Sequence, residues 1–91
     1  MGFAKYKRIV NRILFDYQTD AEEILKQLKE IVKNYGKATV KDLLDLVGVT
    51  PEPDDDKSGW YSFDGANIYA VDHHGKPVYC LELPNPGSLT D

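Results

Sequence analysis

The stretch from Tyr35 to Val49, Y-G-K-A-T-V-K-D-L-L-D-L-V-G-V, constrains the fold more than any other part of the chain. Gly36 is placed to end a helix, because the residue that closes a last helical turn often adopts the left-handed conformation that glycine tolerates. Thr39 is placed to open the next one: its hydroxyl accepts from amides that a helix start leaves unpaired, and Asp42 three residues on favours the helix dipole. Gly48 stops that second helix. Val40, Leu43, Leu44 and Val47 then share one face, and a helix of about two turns persists only by packing such a face on a neighbour. The sequence therefore predicts a two-helix corner or hairpin as half of the core.

Upstream, Ile24, Leu25, Leu28, Ile31, Val32 and Tyr35 recur at helical spacing. Thr19-Asp20-Ala21-Glu22 spells a capping box, so a helix of about four turns is expected from there to Gly36, with Glu22 and Lys26 paired on its wet side. Downstream, T-P-E-P-D-D-D-K-S over 50–58 reads as a loop, since two prolines and three successive aspartates oppose a helix interior and a central strand. Ala66 to Asp72 and Val78 to Leu83 then read as an antiparallel hairpin with its tip at H-H-G-K-P, preceded by the aromatic lead-in G-W-Y-S-F. Tyr79, Leu81 and Leu83 alternate onto one face, and Pro84 with Pro86 ends the pairing.

The segment Phe3 to Tyr17 fits two descriptions, a helical face or a basic arm feeding a short strand over 11–16. The strand is preferred because a lone hairpin is marginal and a third strand would support it. The expected class is α+β: a two-helix unit packed on a small antiparallel sheet made of the C-terminal hairpin and the strand around Ile13 to Phe15. The expected organisation is a basic arm at 1–10, one domain at 11–86 and a loose tail at 87–91.

A chain of 91 residues holds one core, and 42% hydrophobic residues with six Tyr, three Phe and one Trp suffice to build it. The formal net charge of -4 argues against a polyanion as main partner. The charge is uneven, however. Lys5, Lys7, Arg8 and Arg12 face no acid within 1–12, whereas 42–64 carries Asp42, Asp45, Glu52, Asp54, Asp55, Asp56 and Asp64 against Lys57 alone. Cys80 is the single cysteine, so no intrachain disulfide forms, and its apolar setting in V-Y-C-L-E-L offers nothing to stabilise a thiolate. No apolar run approaches the roughly 18 residues that span a bilayer, and the first twenty or so lack a signal-peptide core. The expected setting is a cytoplasm, with no membrane partner.

Four constellations bear on chemistry. A helix, the segment A-T-V-K-D-L-L-D-L-V-G-V and a hairpin together evoke a winged helix, but Pro51, Pro53 and the acidic triplet stand where a DNA-recognition helix belongs. Nucleic-acid binding is thus the alternative reading, resting on Lys5, Lys7, Arg8, Arg12 and the tip residues His73, His74 and Lys76 touching phosphates. Asp54, Asp56 and Ser58 followed by Gly59 match the first half of a calcium loop, yet position twelve is Gly65 in place of a bidentate Glu. His73 and His74 are adjacent and would point to opposite faces of a strand, so they make a poor metal pair unless the turn bends them together. No nucleophile, base and orienting group assemble, so no catalytic residue, metal or cofactor is assigned and an enzyme is not expected. The fourth constellation is aromatic: Trp60, Tyr61, Phe63, Tyr69 and Tyr79 exceed what a small core holds, and an exposed Trp60-Tyr61 pair beside Asp54, Asp55 and Asp56 is the expected protein-binding surface.

The run N-R-I-L-F, then A-E-E-I-L-K-Q-L-K-E-I-V-K-N-Y-G-K-A-T-V-K-D-L-L-D-L-V-G, then G-W, G-A-N-I and L-E-L-P-N-P resembles a small domain of uncharacterised function encoded by bacteriophages and prophages. The similarity covers about residues 11–86. It implies a bacterial host cytoplasm, an accessory protein that binds a host or phage protein, and structural roles for Gly36, Gly48, Gly59 and Trp60. The tip D-H-H-G-K-P is longer than in that domain and the loop more acidic.

Overall fold

The structure is a computed structural model that describes residues 10–89. Among these, the elements run β1 (Arg12–Phe15), α1 (Gln18–Tyr35), β2 (Ala38–Thr39), α2 (Val40–Val47), a 3-10 helix (Pro53–Lys57), β3 (Ser58–Trp60), β4 (Asn67–His73), β5 (Lys76–Glu82) and β6 (Gly87–Ser88). The class is α+β, as expected. The basic arm falls almost wholly outside the described residues.

The expected sheet is present, in the order β1-β5-β4, with all neighbours antiparallel. The register sets Ile13 and Ile68 on either side of Leu81, and Leu14 and Tyr69 on either side of Cys80. Side chains alternate across a sheet, so the Leu81 row faces one way and the Cys80 row the other. α1 lies on the Leu81 side and touches all three strands. There it buries Ala21 and Leu28 in a core shared with Leu43, Leu44, Phe63, Leu81 and Leu83.

α1 begins earlier than the Thr19 capping box predicts. β1 ends at Phe15, which leaves Asp16 and Tyr17 to reverse the chain, and the amides of Asp20 and Ala21 donate to the Tyr17 carbonyl. Thr19 lies within the first turn and caps nothing; Tyr17 takes the cap position without a side-chain bond. Glu22 accepts from Gln18 Nε2 at 3.1 Å, and no ion pair with Lys26 forms. At the far end Gly36 takes φ 84° and its amide closes on Val32, as predicted. Tyr35, assigned by spacing to the apolar face, is instead 78% exposed at the last position of the helix.

Thr39 does cap α2. Its Oγ1 accepts from the Asp42 amide, and Asp42 Oδ2 accepts from the Thr39 amide, each at 2.9 Å. These reciprocal bonds satisfy two groups that would otherwise be unpaired at a partly buried helix start.

Two features depart from the sequence reading. A second sheet, in the order β2-β3-β6, joins three segments of two or three residues each. Residues 87–89 therefore belong to the fold and are no loose tail: Gly87 and Ser88 pair with β3, the Leu89 amide donates to Lys57 at 2.9 Å, and the Leu89 side chain is buried. Within 50–58, Pro53 opens a 3-10 helix. Proline is acceptable there because the first helical turn has no use for its missing N–H.

Candidate functional site

The acidic turn is built from the inside outwards. Asp55 Oδ2 accepts from the Glu52 amide at 2.7 Å, while the Glu52 side chain accepts from the Asp55 amide, a second reciprocal cap. A carboxylate that receives a backbone N–H in this way makes a strong, short bond, which offsets its removal from water. Asp55 is accordingly buried, the one charged side chain in the described core. Immediately after, Trp60 is buried against Phe63, ring centroids 5.2 Å apart, and its indole N–H donates to the Pro84 carbonyl. Among the described residues no buried side-chain nitrogen or oxygen lacks a hydrogen-bond partner.

The five expected contact residues thus divide. Asp55 and Trp60 point inward and present almost no surface, so the exposed Trp60-Tyr61 pair is corrected to Tyr61 alone. Adjacent residues of an extended segment face opposite ways, and Trp60 takes the inner side. Tyr61 is 59% exposed. Asp54 and Asp56 also face solvent, with Asp54 reaching Lys57 Nζ at 3.4 Å. Asp54 and Asp56 lie two residues apart on a 3-10 helix, which sets their directions about 120° apart. They do not converge on a common point as the first half of a calcium loop would.

The residues of the nucleic-acid alternative do not come together either. Lys5, Lys7 and Arg8 lie outside the described residues. Arg12 stands in β1, 3.5 Å from Glu82 Oε2, with its charge engaged across the sheet. His73, His74 and Lys76 sit at the far end of the hairpin, whose tip is only His74 and Gly75, both at positive φ. That tight turn brings the two imidazoles edge to face with centroids 4.4 Å apart. The turn bends the two together because His74 has left the strand conformation, and both remain exposed. Among the described residues no group of three or more His, Cys, Asp or Glu is placed to hold a metal ion.

A further surface went unnoticed in the sequence. Between α1 and the edge of β4 runs an open cleft of about 410 Å³, lined by Glu22, Leu25, Lys26, Lys29, Glu30, Lys33 and Ile68. Leu25 and Ile68 are the apolar part of its lining. Lysines at positions 26, 29 and 33, spaced three and four apart, are the helical signal that could have found it. On the other side of the same strand Tyr69 flanks the buried Cys80. The Tyr69 phenol is held above its ordinary pKa, first by hydrogen bonding with Cys80, then by partial burial and the nearby Glu82 charge, with Arg12 opposing.

No protein-family model, no curated protein and no solved structure matches the chain. Among the described residues no helix is long and apolar enough to cross a membrane.

Proposed function

We propose that this protein is a non-enzymatic module that acts by binding another protein, with Asp54, Asp56 and Tyr61 as its contact. The observation that supports this reading is the division within the acidic turn. Asp55 and Trp60 fix the backbone from inside, so the groups displayed outside are held in place before any partner arrives. Ordering interface groups on binding costs free energy, and a turn fixed in advance lowers that cost. An exposed tyrosine is also among the side chains that most often anchor interfaces. The phage-like sequence pattern extends the proposal to an accessory protein of a phage or prophage, working in the bacterial cytoplasm on a host or phage protein.

The test uses immobilised protein in bacterial lysate, with and without nuclease, beside a variant carrying Asp54→Asn, Asp56→Asn and Tyr61→Ala. All three side chains are exposed, so the variant is expected to melt within a few degrees of the parent, surface changes being worth about 0.5 kcal/mol or less each. A discrete protein retained after nuclease by the parent and lost by the variant supports the contact. Equal retention by both overturns the site, and a bound set that nuclease removes overturns protein binding in favour of nucleic acid.

A further inference from the structure

The cleft beside β4 borders a strand edge that no described residue pairs with. β4 has β5 on one side and no other neighbour among the described residues. The hairpin closes on the pair His73 and Lys76 through a two-residue tip, so that pair exchanges both of its backbone hydrogen bonds, as do alternate pairs beyond it. Val71 with Val78, Tyr69 with Cys80 and Asn67 with Glu82 continue the bonded series. Ile68, Ala70 and Asp72 consequently turn their N–H and C=O groups outward, and their side chains lie on the α1 side of the sheet, as Ile68 does in the cleft lining. Sheet edges are usually blunted by a lysine or proline in the strand, a bulge or a covering element. From Ile68 to Val71 the strand reads I-Y-A-V, without lysine or proline, and its register runs unbroken.

We infer that this edge takes up an extended acidic peptide segment from another protein, added as a fourth strand beside β4 beneath α1. Main-chain bonds to Ile68, Ala70 and Asp72 would hold the strand, and alternate side chains would enter the cleft. One of these meets Leu25 and Ile68 and must be apolar. Others meet Lys29 and Lys33, one helical turn apart, with Lys26 beside them. None of the three lysines forms an ion pair among the described residues, and Glu22 and Glu30 share the lining with them. The cleft lining therefore carries three lysines against two glutamates, a small positive excess in a chain of net charge -4, and this local contrast favours an acidic segment. A second copy pairing through the same edge would bring its own lysine row to the same gap, where like charges face each other. This cleft is separate from the acidic turn, and either surface can fail without the other.

The experiment selects binders from a cell-surface display of random linear octapeptides, using the full chain as bait, and maps the best synthetic peptide by amide NMR shifts. The expected result is enrichment of Asp and Glu at alternate positions around an apolar residue. The largest shifts should fall at Ile68, Ala70 and Asp72, with affinity falling at least tenfold when Lys29 and Lys33 are changed to Glu. Ala70→Pro removes an outward N–H and no internal ladder bond, so it should abolish binding while leaving the remaining amide spectrum native. Peptides without acidic preference, shifts centred elsewhere, undiminished binding by Ala70→Pro, or no binder at all would overturn the inference. So would β4 shifts that depend on the concentration of the protein alone, since these would assign the edge to a second copy.

Discussion

The two sheets differ in how each is assembled and in what each leaves open. β4 and β5 are seven residues each and joined by a two-residue turn, so their pairing is local and their register is set by the turn and by side-chain alternation. β2, β3 and β6 are two or three residues long and come from distant parts of the chain. Their pairing rests on close approach and side-chain anchoring. A Cβ at Gly59 would lie 2.1 Å from the Ala38 carbonyl oxygen and 2.7 Å from Thr39 Cα, so only glycine lets β3 pack there. Among the described residues the long sheet keeps an unpaired edge bordered by a cleft, whereas the short one devotes its residues to locking the acidic turn. Closure in one place and openness in the other suggest different roles within a single small domain.

The comparison breaks most severely at Gly59. Gly59→Ala should cost roughly 4 kcal/mol or more, because backbone rather than a flexible side chain must give way. Urea denaturation measures it, and a loss near 1 kcal/mol would show that β2 and β3 can separate cheaply. A smaller effect is expected at the other end of the same sheet. Leu89→Ala should cost about 2 to 3 kcal/mol, since the side chain is buried although it follows a proline-rich segment. Unchanged stability there would return residues 87–89 to the loose tail that the sequence suggests.

The β4–β5 hairpin and the two-helix unit were legible because their determinants are local. Gly36, the Thr39 and Asp42 pair, and Gly48 each act within four residues of where they stand, and each does in the structure what its spelling predicts. The hairpin was legible from alternation, though two residues form its tip in place of five. The short sheet was not, because two-residue strands show no period to read. Thr19 misled for a related reason: its capping box is favourable locally, but the position of β1 starts the helix at Gln18.

The candidate contact was legible in part. Composition gathers Asp54, Asp55, Asp56, Trp60 and Tyr61 in one stretch, yet it cannot say which of them face inward. That is decided by Glu52 and by the Pro84 carbonyl, one outside the acidic run and the other distant in sequence. The cleft beside β4 was hidden altogether, because it joins a helix face to a strand that follows it by more than thirty residues. The lysine spacing alone reads as an ordinary wet face.

Residue-resolved amide hydrogen exchange on the free protein tests the difference between the sheets most directly. Ile68, Ala70 and Asp72 are predicted to exchange quickly and Tyr69 and Val71 slowly, an alternation that marks an open edge, while Thr39 and Leu89, whose amides are bonded around the short sheet, stay protected. Uniform protection along β4 would mean that the edge is already covered and would contradict the account.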